Sequence, residues 1–347
     1  MLNFCTLFDS NYLSRGLALY ESLKNNSSDF HLYIVAFDKE CYKYLEKLQE
    51  SKLTIISLSD FEDEKLLVVK PGRTAAEYCW TCTPSILLYC IEKFRLPACT
   101  YVDADLIFYD NPQILIDEVR NQSILITEHR YSPDYDVSAT HGKYCVQFMY
   151  FKNDENGLIA LRWWRDRCLE WCFARLEDGK FGDQKYLDDW PQRFPGVQVL
   201  QHPGGGLAPW NIQQYSLEIA HGKIFITNKI NRSQYPLVFF HFHGLKFFFD
   251  NKVACSGALY EMDESVKELL YFPYIRLLLE IGSQVVRSGF GRNPQGGQQP
   301  APKRGEVIFQ YLKNILFLRL KGNLSLANKR LYSIRLHDHI YNLGSIK

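Results

Sequence analysis

The first 130 residues alternate short apolar, β-branched runs with segments whose apolar residues recur every three or four positions. This alternation is typical of β-α-β units that build a parallel sheet with helices on its faces. We therefore predict an α/β fold. Strands are predicted at residues 2–8, 31–36, 53–58, 99–102, 106–109 and 123–127, and helices at residues 12–24, at residues 39–50 and after Asn111-Pro112.

The second half of the chain is less regular. Beyond about residue 140 we predict a strand at 144–151, a helix at 158–176 and a strand at 237–242, on the same sheet. Residues 1–288 would then form one domain. Residues 289–304 are dense in Gly, Pro and Gln, which predicts a flexible linker.

Residues 305–347 are predicted to form a basic, amphipathic, helical tail. From residue 303 onward, nine Lys or Arg face two acids. A helix of this kind packs on the core or a partner subunit, or it binds a membrane surface, and the sequence leaves both open. Its apolar residues at helical spacing are Ile308, Leu312, Ile315, Leu316 and Leu320.

Composition narrows the partners and the compartment. The 347 residues hold 40 Lys plus Arg and 39 Asp plus Glu, a formal charge of +1, so the chain has no overall field for nucleic acid. We expect no nucleic-acid partner. The start lacks a basic segment followed by an apolar one, which predicts a cytoplasmic protein, with the tail as a peripheral contact at the inner membrane face. The ten cysteines are expected to be buried thiols, with zinc or redox chemistry at Cys79-x-x-Cys82 as the alternative.

The most informative motif is the run Thr100-Tyr-Val-Asp103-Ala104-Asp105-Leu-Ile-Phe-Tyr109. A buried strand that ends in Asp-x-Asp delivers two carboxylates to the carboxyl edge of an open sheet, where ligands of α/β proteins bind. Two such oxygen ligands suit Mg²⁺ or Mn²⁺, with water and phosphate oxygens completing the coordination. The alternative is a helix cap and turn pair without a ligand.

A second motif is the apolar strand that ends in His241-Phe-His243-Gly244-Leu-Lys246. Histidine would favour Mn²⁺ as a third protein ligand, glycine permits close approach of the backbone, and lysine can meet a phosphate. Either histidine alone is more often a satisfied core or surface side chain than a metal ligand. Together with the acidic pair, they indicate a metal site for a diphosphate.

These two motifs resemble those of nucleotide-diphospho-sugar glycosyltransferases of the GT-A fold, similar to glycosyltransferase family eight, over most of residues 1–250. The resemblance implies a Rossmann-like mixed sheet flanked by helices. It also implies that Asp103, Asp105 and His241 bind Mn²⁺ or Mg²⁺. The donor would contact residues within the acidic motif and after His241. Those donor contacts are Asp103 itself, Ala104, Gly244 and Lys246, although Lys246 stands one place early and the family's Pro-Trp is absent.

Two further segments are similar to the family. Its opening Asp-x-Asn-Tyr element cups the nucleoside, which implies donor contacts from Thr6, Asp9, Asn11 and Tyr12, with a preference for UDP. Asp9 as a plain helix cap is compatible with that role. Phe181-Gly-Asp183-Gln184 resembles the element beside the donor sugar, which implies that Asp183 holds sugar hydroxyls and Gln184 lies near the anomeric carbon. The surface-loop alternative stays open.

Two departures from the family indicate where its site differs. The Phe-Asn-x-Gly element is replaced by Tyr144-Cys-Val-Gln147, and the family's basic residue before the acidic pair is absent, with Arg73 as a candidate replacement.

The loop that begins at His202 and ends at Trp210-Asn211 is a turn or an acceptor site, where Trp210 would stack on a sugar.

The leading hypothesis is a retaining, metal-dependent glycosyltransferase that moves a sugar from UDP to a glycan or lipid-linked acceptor, as in polysaccharide biosynthesis. One alternative is a haloacid-dehalogenase-like phosphatase, although Ile107 stands where Thr or Val is needed and a hundred residues precede the motif. Another is a non-catalytic module that binds a sugar nucleotide or a glycan.

Overall fold

A computed structural model describes residues 1–257, 260–296, 299–320 and 339–346, without the side chains of residues 304, 310, 311, 314 and 317–320. The strands, numbered in chain order, are β1 (Leu2–Phe8), β2 (Phe30–Ala36), β3 (Leu53–Ser57), β4 (Ala98–Val102), β5 (Leu106–Phe108), β6 (Ile124–Glu128), β7 (Tyr144–Lys152), β8 (Val197–Val199), β9 (Tyr215–Ala220), β10 (Lys223–Asn228), β11 (Gln234–Pro236), β12 (Phe239–His241), β13 (Lys246–Phe248), β14 (Lys252–Ala254) and β15 (Ile340–Asn342).

Twelve α-helical segments accompany these strands in the described residues, and short 3₁₀ turns join several of them. The helices are α1 (Leu13–Asn26), α2 (Lys39–Glu46), α3 (Leu58–Phe61), α4 (Glu64–Val69), α5 (Ala75–Lys93), α6 (Gln113–Ile116), α7 (Ser138–His141), α8 (Glu155–Glu170), α9 (Trp190–Arg193), α10 (Glu264–Val266), α11 (Phe272–Arg287) and α12 (Arg304–Leu320).

The central sheet has seven strands in the order β3-β2-β1-β4-β7-β6-β8. Strands β1, β2, β3 and β4 run parallel to one another, whereas β7 runs antiparallel to both β4 and β6. Both faces are covered by helices. The prediction of an α/β fold with a mixed sheet flanked by helices is therefore confirmed.

Alternation along β1 shows how the sheet divides the interior. Phe4 and Phe8 belong to one buried cluster, packed with α1 and α11, while Cys5 and Leu7 belong to a second one, packed with α5 and α8. Successive side chains of a strand point to opposite faces, so one strand supplies both cores. A sheet buried on both faces fixes its register, and with it the positions of the strand ends.

The second half differs from the prediction in three places. The helix predicted at 158–176 is α8, which ends at Glu170 because Trp171 takes an extended backbone conformation. The predicted strand at 237–242 is shorter, and it pairs with β5 outside the central sheet. The antiparallel ribbon β9-β10-β11 lies in a region where the sequence analysis predicts no strand.

Part of the predicted linker contacts the body. The backbone N–H and the hydroxyl of Ser14 both donate to the carbonyl of Pro294, and Gln295 donates to the carbonyl of Leu278. Gln295 is 9% exposed. The division of the chain at residues 288 and 304 stays a prediction.

The tail is helical over α12, and residues 321–338 lie outside the described residues. Strand β15 then pairs with β14. Among the described residues, one continuous helical stretch, Glu264–Arg287, which includes α10 and α11, has the length and composition of a membrane span. An 18-residue window within it has a mean hydropathy of 1.2, and 44% of this window is buried. Its Ile275 and Leu278 pack in the cluster beside β1, as in the core helix of a globular protein.

Candidate metal and ligand site

The turn between β4 and β5 carries the two acidic side chains. β4 is buried and ends at Val102, so Asp103 and Asp105 lie just past the carboxyl edge of the parallel strands. The backbone N–H of Leu106 donates to the carbonyl of Asp103, and the tyrosine hydroxyl of Tyr101 donates to the Asp103 carboxylate at 2.9 Å. The side chain of Asp103 is 29% exposed and that of Asp105 is 12% exposed. The site therefore opens on the Asp103 side.

Strand β12 brings the histidine to these carboxylates. It pairs antiparallel with β5, which sets His241 opposite Leu106 and beside Asp105. His241 Nε2 lies 3.1 Å from Asp105 Oδ1 and 3.7 Å from Asp103 Oδ2. One ligand atom from each side chain falls within 4.8 Å of the other two. The three residues predicted as metal ligands are thus brought together.

The charges of this group depend on one another. Burial opposes ionisation of both carboxyls, but His241 lowers the pKa of Asp105 to about 2, whereas burial keeps the pKa of Asp103 above its usual value. Burial acts to lower the pKa of His241, yet the carboxylate of Asp105 raises it well above the usual range. The group is thus a tight electrostatic unit with no other strong cation in hydrogen-bond contact among the described residues.

Gln147, noted in the sequence only as a departure, contacts this unit. It lies on β7, and its side chain Oε1 is 2.8 Å from His241 Nδ1. Its backbone carbonyl accepts the N–H of Asp103 at 3.1 Å. The hydrogen bond between Gln147 and His241 joins residues 94 positions apart, so nothing local in the sequence announces it.

Asp183 and Gln184 lie in a loop after α8. Asp183 is 5% exposed, and burial, followed by the negative charge of Asp103, raises its pKa to about 8. At neutral pH this carboxyl holds a proton and can donate a hydrogen bond. Gln184 is half-buried, and its amide nitrogen donates to the carbonyl of His141 at 2.6 Å.

The predicted nucleoside contacts follow β1. The carboxylate of Asp9 accepts hydrogen bonds from the backbone and the side-chain amide of Asn11, so Asp9 is a helix cap. Tyr12 is 41% exposed, with the guanidinium of Arg15 4.5 Å from its ring centre. Thr6 is fully buried, and among the described residues its hydroxyl has no hydrogen-bond partner.

The predicted phosphate segment is a turn between β12 and β13. Gly244 has φ +79°, a conformation that favours glycine, and the backbone N–H of Leu245 donates to the carbonyl of Phe242. Lys246 is exposed, with its amine 5.7 Å from the ring centre of Phe248. Ala104, between the two acids, is 7% exposed.

Arg73 contacts residues at and after the end of α8, whereas Arg15 lies near the acidic pair. The guanidinium of Arg73 lies 3.8 Å from the ring centre of Phe173 and donates to the carbonyl of Leu169, so its described contacts are with the end of α8. Arg15, which the sequence did not single out, is 3% exposed and donates to the carbonyl of Leu245, in the turn after His243. Its charge also lowers the pKa of Asp105.

Trp210 forms part of the wall behind the histidines. It is 5% exposed, its indole N–H donates to the carbonyl of His129, and its ring centre lies 5.5 Å from the rings of both His241 and His243. A ring covered to this extent packs instead of stacking on a sugar. Of the two alternatives for this loop, Trp210 fits the structural turn.

A second group of metal-type side chains lies inside the core. Cys5, Cys90 and Cys99 are fully buried with their sulfur atoms within 4.8 Å. Burial raises the pKa of Cys5 and of Cys90, which favours neutral thiols that pack as small apolar groups. Within the described part of the chain, Cys79 and Cys82 join no such group.

Fold and site together define an α/β protein with a carboxylate and histidine site at the carboxyl edge of a mixed sheet. The chain is 31% identical over 258 residues to the uncharacterized protein YfnF of Bacillus subtilis (strain 168), covering 72% of this chain and 84% of YfnF. It is 29% identical over 277 residues to the uncharacterized protein YfnD of the same organism, covering 79% and 87%. The chain belongs to the same family as YfnF. No protein-family model matches it.

Solved structures that are similar to this chain include the galactosyltransferase LgtC in complex with donor and acceptor sugar analogs, at 10% identity and a TM-score of 0.48, covering 80% of this chain and 96% of LgtC. Another is mouse xyloside xylosyltransferase 1 in its apo form, at 13% identity and a TM-score of 0.39, covering 60% and 87%. Because these TM-scores are below 0.5, we infer function from the side chains of the site.

Proposed function

We propose that this protein is a metal-dependent glycosyltransferase that moves a sugar from a nucleotide-diphosphate sugar to an acceptor. The observation that carries the proposal is the convergence of Asp103, Asp105 and His241, whose ligand atoms lie within 4.8 Å of one another at the carboxyl edge of the sheet. Two carboxylates and one imidazole are a donor set that fits Mn²⁺, with Mg²⁺ as the weaker fit. A bound divalent cation supplies Lewis-acid neutralisation of a leaving diphosphate.

The remaining side chains fit the parts of a nucleotide sugar. The turn of Gly244 and Lys246 continues directly from His241, which suits the diphosphate. We assign Thr6, which lies on β1 shortly before Asp9, to the nucleoside, for which we propose UDP. Asp9, Asn11 and Tyr12 follow Thr6 in the same segment and are assigned to the nucleoside with it.

Asp183 and Gln184 are assigned to the sugar. Asp183 is 5% exposed, and its carboxyl group can form hydrogen bonds with sugar hydroxyls. Gln184 has its amide nitrogen engaged by His141, which turns the amide oxygen away from that carbonyl. An amide oxygen beside the anomeric carbon would stabilise developing positive charge without being a strong nucleophile. Retention of configuration and a glycan or lipid-linked acceptor remain part of the proposal.

The proposal is tested by adding Mn²⁺ and a panel of UDP-sugars to the full chain and measuring release of UDP and the shift in unfolding temperature. We expect one UDP-sugar to stabilise the protein in the presence of Mn²⁺ and to release UDP slowly. Stabilisation without release would favour a binding module. Phosphate release from simple phosphomonoesters, without UDP release, would favour a phosphatase.

Two histidine variants provide a matched pair. His241→Ala should abolish the Mn²⁺ dependence, because its imidazole lies between the two carboxylates. His243→Ala should keep it, because His243 is exposed and its ring lies 5.5 Å from that of His241. The reverse order would mean that His243 is the ligand.

A further inference from the structure

Gln147 is a fully buried amide, and none of the roles assigned above needs it. Its exposed fraction is zero, and it lies on β7, next to β4 in the sheet. The backbone carbonyl of Gln147 accepts a hydrogen bond from the N–H of Asp103, and the side-chain oxygen of Gln147 lies within hydrogen-bond distance of His241 Nδ1. One residue thus contacts two of the three side chains that would hold the metal.

The contact with His241 decides which way the imidazole faces. An amide oxygen only accepts hydrogen bonds, so the ring nitrogen Nδ1, 2.8 Å from Gln147 Oε1, is the donor. The other nitrogen, Nε2, then faces Asp105 and Asp103. A neutral imidazole has one nitrogen lone pair for a metal, and with Nδ1 held as the donor to Gln147 that lone pair would belong to Nε2, which faces the two carboxylates.

The reversed amide would not serve the same purpose. With its NH₂ group toward Nδ1, Gln147 would leave the ring proton on Nε2, between His241 and the carboxylates, where it would exclude a cation. In the observed orientation the amide nitrogen of Gln147 has no hydrogen-bond partner among the described residues. The arrangement thus leaves one buried N–H₂ group unpaired and keeps the acceptor toward His241.

We propose that Gln147 is a positioning residue, which holds His241 with Nε2 toward Asp103 and Asp105 and thereby sets the affinity of the site for a divalent cation. The inference rests on the metal site of the proposed function. Side chains that orient a ligating histidine through its second nitrogen typically change metal affinity 10- to 100-fold when they are replaced.

Two substitutions at this position separate the hydrogen bond from packing. Gln147→Met has a similar length and no acceptor at the end, so we expect Mn²⁺ affinity to fall about 10-fold or more. Gln147→Glu keeps an acceptor oxygen toward Nδ1 and adds a carboxylate, which raises the basicity of the imidazole, so we expect affinity at least equal to that of the wild type. Free Mn²⁺ in titrations of the full chain is measured by electron paramagnetic resonance, and thermal unfolding of each variant is recorded.

Gln213→Met is the matched control. Gln213 is a half-buried glutamine that accepts from Ser132 and donates to the carbonyls of Pro209 and Glu261. We expect its replacement to lower stability and to leave Mn²⁺ affinity unchanged. A comparable loss of affinity in Gln213→Met would show that the Gln147 effect is general loosening, which overturns the inference.

The imidazole itself gives a readout that packing alone would not move. With Cd²⁺ as a diamagnetic probe, ¹⁵N spectra of histidine-labelled protein should show a protonated Nδ1 and a metal-bound Nε2 for His241 in the wild type and in Gln147→Glu. This single form should be lost in Gln147→Met. If Gln147→Met does not fold, the Gln147→Glu spectrum decides, and loss of the Nδ1 proton signal with Cd²⁺ bound overturns the inference.

The outcomes distinguish this inference from the proposed function. Failure of the wild type to bind Mn²⁺, or equal binding by Asp105→Asn, overturns both. Binding that depends on Asp105 but is unchanged in a folded Gln147→Met overturns only the role of Gln147.

Discussion

Asp103 and Asp105 are the same residue type and lie two positions apart, but their surroundings shift their pKa values in opposite directions. Asp105 directly meets His241, which lowers its pKa to about 2, while burial keeps the pKa of Asp103 above its usual value. Paired groups whose pKa values are moved apart by their environment are typical of functional sites. The two carboxyls therefore enter ligand binding as unlike partners, with Asp105 ionised first.

At Gln184 we predict a kinetic effect larger than a binding effect. Gln184→Ala removes the amide oxygen assigned to the developing charge, so kcat for UDP release should fall at least tenfold while the affinity for the UDP-sugar changes little. Steady-state kinetics with direct binding measurements check this. A change in KM with unaltered kcat would make Gln184 a binding residue.

The residues at the site differed in how far sequence could identify them. A strand that ends in Asp-x-Asp is a local signal that predicts Asp103 and Asp105, whereas His241 is preferred to His243 only through the family resemblance. Gln147 was not predicted, because its role exists only through a contact across 94 positions. Arg15 was missed for the same reason, since its partner Leu245 lies on a different element.

The start of α2 shows how one side chain can fix where a helix begins and what the helix is attached to. Asp38 precedes α2, and one carboxylate oxygen accepts the N–H of Cys41 and the hydroxyl of Ser10, while the other accepts the N–H of Ser10. The side chain thereby ties α2 to the turn after β1. Although burial alone would raise the pKa of Asp38, these hydrogen bonds lower it.

We predict that Asp38→Asn lowers the free energy of unfolding by about 1 kcal/mol at neutral pH, because an amide offers one acceptor oxygen where the carboxylate uses two. A lowered folded-state pKa stabilises the protein above the unfolded value, near 4, and this stabilisation is lost as pH falls through the folded value. The difference between wild type and variant should therefore shrink on acidification. Urea unfolding at several pH values measures it.

The exposed Asp134→Asn is the charge-matched control, with an expected change of less than about 0.5 kcal/mol. A difference between wild type and Asp38→Asn that grows toward acid pH would contradict the role given to the carboxylate.

At the scale of elements, the first half was more predictable than the second. The strand from Leu2 to Phe8 was predicted to the residue, because apolar runs between helical patterns are strong local signals. The ribbon β9-β10-β11 was missed, since its residues are only partly apolar and its strands leave the central sheet. The end of α8 at Glu170 depends on the packing of Trp171, a tertiary effect.

At the scale of the whole molecule, described residues beyond residue 288 contact the part of the chain formed by residues 1–288. Pro294 meets Ser14, the N–H of Cys255 donates to the carbonyl of His339, and β15 extends the small sheet of β13 and β14. Truncation after Ser288 would remove these contacts, so the membrane hypothesis is better tested in the full chain. Helix α12 offers the surface to change.

We predict that Phe309→Ser combined with Leu312→Ser weakens sedimentation with anionic vesicles at low salt. Both side chains are exposed, at 68% and 46%, whereas Ile315 on the same helix is buried. Apolar burial and basic charge would act together at a lipid surface. Phe249→Ser, at a 64% exposed site outside α12, is the control. Equal sedimentation of all three proteins would show that α12 does not bind the membrane.

Asp103, Asp105 and His241 are proposed to form one metal site for a nucleotide diphosphate. Calorimetric titration of UDP into the full chain, with Mn²⁺ and with a chelator, tests it directly. We predict binding only with Mn²⁺, lost in Asp105→Asn and kept in Asp110→Asn, whose carboxyl is equally buried at 9% exposure but pairs with Lys223. Binding of UDP that is unchanged by the chelator or by Asp105→Asn would contradict the account.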